Sequence, residues 1–176
     1  MGVSGLMTDA NVNPKPSLAA MVSLGMELPL SLDFSFLPSV GYAMKGGRYD
    51  FNAYNGTENL HLHYLQVPLL FGYRLNMGST NLIFKAGPYL EMALSGTLKQ
   101  EITYAGQMFS SETNIFSKDA LEKAGSRFDV GAAVGIDYEI KRFLIGVEAE
   151  MGFISLAPNN MNLKNLAAYV SIGYKF

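Results

Sequence analysis

Hydrophobic residues in this chain recur at every second position. Read backwards from the C-terminus, Phe176, Tyr174, Ile172, Val170, Ala168 and Leu166 fall on one face, and Lys175, Gly173, Ser171, Tyr169, Ala167 and Asn165 on the other. A period of two is the signature of an extended strand whose side chains point alternately to opposite sides. The preceding segment repeats it. Phe143, Ile145, Val147, Ala149, Met151 and Phe153 share a face, opposed by Leu144, Gly146, Glu148, Glu150 and Gly152. Before that, the even positions from Phe128 to Ile140 alternate with Arg127, Asp129, Gly131, Ala133, Gly135, Asp137 and Glu139. The segments Leu18–Leu28, Leu32–Met44, Leu65–Leu75 and Leu82–Leu94 alternate less cleanly, and a short strand at Met1–Met7 brings the expected count to eight.

These strands exceed the usual length of about 5–6 residues in soluble sheets and match the roughly 9–11 tilted residues that cross a bilayer. The connections alternate in length. Pro29–Ser31, Asn76–Thr80 and Ile140–Arg142 are short; Thr8–Ser17, Gly46–Asn59, Lys99–Ser126 and Pro158–Leu163 are long. Short turns at one end and long loops at the other predict an all-β fold, an eight-stranded antiparallel up-and-down transmembrane β-barrel. It forms one domain over 1–176, with both termini at the short-turn, periplasmic end. Pro38, Pro68 and Pro88 lie inside strands, where each removes a ladder donor, so they predict bulges or local breaks. Ser117–Ala124, followed by Gly125, predicts one or two helical turns within the longest loop.

Composition decides which way the barrel faces. Only 16% of residues are charged while 49% are hydrophobic, yet no apolar run is long enough for a membrane helix of about 20 residues. In a soluble lipocalin-like barrel holding a small apolar ligand, the apolar face would point inward. Here that face is rich in Leu, Val, Ile and Phe, too bulky to fit together inside eight strands, whereas the opposite face carries Gly, Ala, Ser and nearly all the charge. The apolar face therefore meets lipid. A net charge of -2 excludes a nucleic-acid binder, and the absence of cysteine excludes a disulfide framework and a thiolate metal site. Met1-Gly2-Val3-Ser4 shows no basic region followed by an apolar run, so a bacterial outer-membrane location implies a signal peptide absent from this chain.

Inward charges need partners. Arg74, Lys85, Asp129, Asp137, Glu148, Glu150 and Lys175 are expected to form a lumen network, with Glu148 and Glu150 as its acidic centre, Asp33 near Arg74 at the short-turn end, and Lys45, Arg127 and Glu91 higher up. Such a network most simply plugs an interior that side chains fill. Aromatic girdles are expected from Phe34, Phe71, Tyr73, Phe84, Tyr138, Phe143, Tyr174 and Phe176 on the periplasmic side, and from Phe36, Tyr42, Phe128 and Phe153 on the outer side. His61 and His63 share a strand face but lack the ligands that would complete a metal site. His63 with Ser110 or Ser111 and Glu58 or Glu112 supplies only the residue types of a lipid hydrolase. No catalytic, cofactor or metal residue is assigned, and a non-enzymatic barrel is expected, acting structurally or through its loops in adhesion, assembly or secretion-related interactions. Loop aromatics such as Tyr49, Tyr54 and Phe116 offer a possible protein-binding surface.

The ending Gly173-Tyr174-Lys175-Phe176 resembles the assembly signal of bacterial outer-membrane proteins, carried by Gly173, Tyr174 and Phe176 and read by the barrel-assembly machinery. Together with Gly41–Gly46, Tyr64–Leu70, Ala86–Leu90 and Phe128–Gly135, it resembles the PorT-like outer-membrane β-barrel family of Bacteroidetes-type bacteria. That family usually carries Glu where this chain has Gln66. The resemblance implies an eight-stranded barrel embedded in outer-membrane lipid.

Overall fold

The alternating segments form strands, and the strands run further than the alternation does. The structure is a computed structural model that describes residues 1–7, 14–51, 56–104, 107–114, 127–154 and 164–176. In chain order these strands are β1 (Gly2–Met7), β2 (Pro14–Gly25), β3 (Leu28–Pro29), β4 (Phe34–Phe51), β5 (Gly56–Asn76), β6 (Thr80–Tyr104), β7 (Gln107–Asn114), β8 (Phe128–Ile140), β9 (Phe143–Gly152) and β10 (Lys164–Tyr174). All pairings are antiparallel. Eight strands close a ring in the order β1, β2, β4, β5, β6, β8, β9, β10 and back to β1. The two short extras sit at opposite ends: β3 pairs with the start of β4, and β7 with the far end of β6.

The face assignment follows the alternation. Along β8 and β9, Val134, Ile136, Ile145 and Val147 are exposed, while Ala133, Glu150 and Gly146 are buried. Bulky apolar side chains therefore point out of the ring, and small and charged ones into it. The lipocalin-like alternative requires the reverse and is set aside. Close packing inside explains the small residues: the Tyr89 ring lies over Gly131 on β8, where any side chain would collide with it. Short turns close the lower end. Gly78 turns with φ +89, its N–H bonded to Asn76 Oδ1 at 2.8 Å, and Lys141 takes a left-handed φ of 56 in the turn between β8 and β9.

Several expectations change. Of the bulges or local breaks expected at the prolines, breaks are found, opposite Pro68 and Pro88. Register is unchanged through Pro38↔Leu69 and Gly41↔Gln66, yet the ladder lapses between those pairs, opposite Pro68. It lapses again between Pro68↔Tyr89 and Phe71↔Ala86, opposite Pro88. A missing N–H removes a bond without requiring an extra residue. The true register shifts lie elsewhere, between Pro16 and Ala20 and between His63 and Tyr64. The loop expected at Gly46–Asn59 is largely strand, since β4 continues to Phe51 and β5 begins at Gly56, and the first part of Lys99–Ser126 is strand as well, since β6 reaches Tyr104 and β7 follows. The helical turns expected at Ser117–Ala124 lie outside the described residues.

Phe36 belongs to the lower girdle, with its ring 5.1 Å from that of Phe71. Phe34 and Tyr73 pair beside it at 5.0 Å, and Phe143, Tyr174 and Phe176 form an edge-on row at 5.3 and 5.4 Å. Lys175 and Phe176 lie at this lower end, and β1 rises from Met1, whose carbonyl accepts the Val170 N–H at 2.9 Å.

Val134 lies midway along β8 on the outer face. Val134→Arg should lower stability by about 2–4 kcal/mol, the cost of a cation on the lipid face at mid-bilayer. Urea unfolding in lipid vesicles measures it.

Candidate functional site

The inward charges assemble into three tiers. At the upper tier, Lys45 from β4 reaches across the lumen. Its Nζ lies 2.7 Å from Glu91 of β6 and 2.8 Å from Glu150 of β9. All three side chains are at most 1% exposed. Gln66 Nε2 donates to Glu150 at 2.6 Å, and Asn165 Nδ2 donates to Glu91 and to the Tyr64 hydroxyl, each at 3.1 Å. The Lys45 ammonium also lies 4.9 Å from the Tyr89 ring centre, within cation–π range. In the ring order, β4 and β9 face each other, as do β5 and β10. These contacts therefore cross the lumen and tie opposite walls together.

The middle tier centres on Lys85 of β6, 2.7 Å from Glu148 and 3.1 Å from Asp137. The lower tier holds two cations and two anions. Arg74 bonds Glu27 at 2.6 Å and Glu139 at 2.7 Å; Lys175 bonds the same two carboxylates at 2.6 and 3.1 Å. Ser35 and Asn81 donate to Glu27 and Glu139 respectively. Asp129 is buried near the top, where it accepts the Ile154 N–H at 2.9 Å.

Arg74, Lys85, Asp129, Asp137, Glu148, Glu150 and Lys175 point inward, but the grouping differs. Glu148 and Glu150 form no common centre: two positions apart on β9, each serves a different lysine. Asp33 stays outside on an exposed bend and gives only its carbonyl to the Arg74 N–H. Glu27 takes its place. Strand parity marked Glu27, Lys45, Glu91, Gln66 and Asn165 as inward-facing, but their heights depend on strand tilt, which parity does not carry.

The remaining candidates do not converge. His63 lies against Tyr42 on the outer face, with its Nδ1 2.5 Å from the Tyr42 hydroxyl and the rings stacked. It pairs with Ser95 on β6, while Ser111 pairs with Gln100. That offset along β6 is roughly 16 Å at about 3.3 Å per residue, too far for a nucleophile and its base. The Glu58 side chain lies outside what is described.

A second feature stands above the wall. The β6–β8 ladder ends at Met92↔Phe128, whereas β6 continues to Tyr104. Over that extension β6 pairs with β5 on one side and β7 on the other, and β5 pairs with β4. About 12 further residues at roughly 3.3 Å each carry this sheet some 40 Å along the strand direction. Its edge, β7, exposes Ser110, Ser111, Glu112, Thr113 and Asn114, and Glu112 pairs across the ladder with Lys99 at 3.4 Å.

Lys45→Met should cost about 3–5 kcal/mol, because two buried carboxylates lose their cation. Adding Glu91→Gln and Glu150→Gln should recover most of that loss in the same vesicle unfolding assay. Glu27 lies in the turn below β2, and its carboxyl is perturbed in two directions. Partial burial pushes its pKa up, but hydrogen bonds from Lys175, Arg74 and Ser35 outweigh burial and hold it at about 2. Its stabilising contribution is therefore complete above the ordinary carboxylate pKa and is lost as pH falls toward 2. Unfolding midpoints of the protein and of Glu27→Gln should differ at pH 7 and converge as pH falls from about 4.5 to 2.

Comparison with known proteins agrees with this geometry. Over its full span the fold is similar to the attachment invasion locus protein Ail of Yersinia pestis, at 14% identity and TM-score 0.50, covering 99% of this chain and 93% of that one. The same protein bound to the heparin analogue sucrose octasulfate gives a TM-score of 0.52 at the same coverage. The Neisserial surface protein A is also similar, at 12% identity and TM-score 0.49, with 99% and 92% covered. No curated protein sequence matches. Residues 2–157 match the outer membrane protein beta-barrel domain. A closed ring with its apolar side turned outward, matched over most of its length by that domain, makes this chain a member of the outer-membrane protein β-barrel family, resident in the bacterial outer membrane.

Proposed function

We propose that this barrel acts non-enzymatically, with a plugged lumen, through the sheet that β4–β7 raise above the membrane. The observation that carries the reading is the outer edge of β7, along which no strand lies among the described residues. It offers a row of backbone donors and acceptors flanked by Ser110, Ser111, Glu112, Thr113 and Asn114, a surface suited to pairing with another protein's strand. The lumen supports it, since the Lys45–Glu91–Glu150 contacts fill the cross-section with paired charges. Within the family, we infer a PorT-like member from Gly41–Gly46, Tyr64–Leu70, Ala86–Leu90, Phe128–Gly135 and the Gly173–Phe176 ending. The contacts proposed are therefore adhesive, assembly-related or secretion-related. In the membrane, outer-membrane lipid covers the apolar face, and the assembly machinery reads the last strand.

Photo-crosslinkers placed at Ser111 and Thr113 in intact cells should capture a protein partner. A crosslinker at Lys141, in a short turn at the other end, should not. Lysines along the same edge, Ser110→Lys with Glu112→Lys, should abolish capture from Ser111 and Thr113 while leaving heat-modifiable gel migration unchanged. Capture at Lys141 alone would place the working surface on the periplasmic side instead.

A further inference from the structure

The polarity of the sheet inverts where it leaves the wall. Within the wall, β5 turns Leu65, Phe71 and Leu75 outward and buries Tyr64 and Gln66. Beyond Leu65 the outward positions of the same strand are His63, His61 and Asn59, while Leu62 and Leu60 are buried on the inner face. Strand β6 makes the same exchange by means of a bulge. Tyr64 pairs with Ala93 and His63 with Ser95, so Leu94 is the extra residue. One added residue reverses the faces beyond it. Lys99 is therefore exposed on the outer side, and Leu98 packs inward against Leu60 and Leu62. The exchange sits at the edge of the apolar band. From Leu75 to Leu65 the strand advances ten positions. At about 3.3 Å each and a tilt of about 40°, that spans roughly 25 Å, the height of the lipid-facing band in such barrels.

Beyond the band the outer face is basic. A single row of cross-strand partners joins Lys15 of β2, Arg48 of β4, Asn59 of β5, Lys99 of β6 and Glu112 of β7. Lys15, Arg48, Lys99 and Glu112 are all exposed. Three cations against one carboxylate leave the row with an excess of positive charge, and Glu101 follows at the next outward position of β6. Lys15 and Arg48 stand directly opposite each other, and like charges so placed cost a sheet stability. Folding alone therefore does not call for them. Between this row and the apolar band come hydrogen-bonding groups: the stacked pair of Tyr42 and His63, then His61, Ser95 and Thr97.

We propose that this face binds the phosphorylated saccharide headgroup of an outer-leaflet glycolipid. Continuity with the lipid-covered wall argues for a lipid. The molecules that lie against the face are those whose acyl chains lie against Leu65 and Leu94. Charge argues for phosphate, because the row of cations needs anions at its own height. The groups beneath it suit hydroxyls. Height argues for a saccharide. Asn59 lies six positions beyond Leu65, or roughly 15 Å higher at the same tilt. A phospholipid headgroup layer is only about 5–7 Å deep, so its phosphates lie below the row, whereas a phosphorylated oligosaccharide reaches it.

Thermal unfolding in vesicles tests this. Adding a phosphorylated lipooligosaccharide to phosphatidylcholine vesicles should raise the unfolding midpoint, and the rise should shrink as salt is added. The dephosphorylated form of the same lipid should give no rise. Arg48→Gln combined with Lys99→Gln should lose most of the rise, whereas Lys141→Gln, in a turn at the opposite end, should keep it. Equal midpoints with the two forms of the lipid, or a double variant that keeps the full rise, would overturn the proposal. So would an equal rise from phosphatidylglycerol at matched charge, which would show that surface charge suffices without a saccharide. An equal rise from inorganic phosphate in plain phosphatidylcholine vesicles would make the ligand a soluble anion, with the same consequence.

Discussion

The bilayer's refusal to hydrogen-bond the backbone is the constraint from which this structure follows. A strand exposed to hydrocarbon must pair on both edges, and a sheet of such strands has no permissible end, so it closes. The closing contacts are those between β1 and β10 and between β1 and β2. Local defects are placed where that demand is met in other ways. Where the β2–β4 register shifts between Pro16 and Ala20, the backbone of Gly46 turns to the Ser4 hydroxyl instead. That one side chain accepts the Gly46 N–H at 2.8 Å and donates to its carbonyl at 3.0 Å. Pro68 and Pro88 stand opposite the two lapses of their ladders, so each missing donor coincides with a bond already absent.

Closure then dictates the interior. Eight strands enclose a space that side chains fill, and polar groups placed there are cut off from water on the bilayer side. A charge survives only with a partner, which an adjacent strand can supply, as Asp137 of β8 does for Lys85 of β6, or a strand further round the ring. Lys45 shows the consequence. Emerging from β4 among Gly41, Ala43 and Gly47, it finds its carboxylates on β6 and β9. Replacing buried ion pairs with well-packed apolar residues is often neutral or stabilising, so their stability value alone does not account for three such tiers. What they fix is geometry: the upper tier holds opposite walls at a set distance, and the lower two tie strands nearer to one another in the ring.

Much of this was legible in the sequence, because a period of two survives wherever one face meets lipid and the other a packed lumen. Phe128–Ile140 and Phe143–Phe153 could be assigned face by face. Legibility failed where that asymmetry ends. Above the wall the extension still buries Leu60 and Leu62, but Ser110-Ser111-Glu112-Thr113 carries no hydrophobic alternation and looks like loop. The lumen pairings failed for another reason. Parity says that Glu148 and Glu150 both point inward, but barrel tilt sets which lysine each one meets. Asp33 and Glu27 both lie near the lower turns, and only the path of the chain after β2 brings Glu27 to Arg74 and Lys175.

The extended sheet is the part that neither the membrane nor the lumen requires. A barrel needs its strands only as far as the hydrocarbon reaches, and β8, β9 and β10 stop close to that limit. Strands β4, β5 and β6 do not, and β7 is added beyond the wall where it closes nothing. An unpaired edge outside the membrane invites pairing with other chains, which proteins usually block with charge, proline or cover. Of these devices the exposed run Ser110–Asn114 carries one acid, Glu112, and that acid is drawn across the ladder to Lys99. Among the described residues no strand covers this edge, and the pairing proposed above accounts for strands longer than closure of the barrel demands.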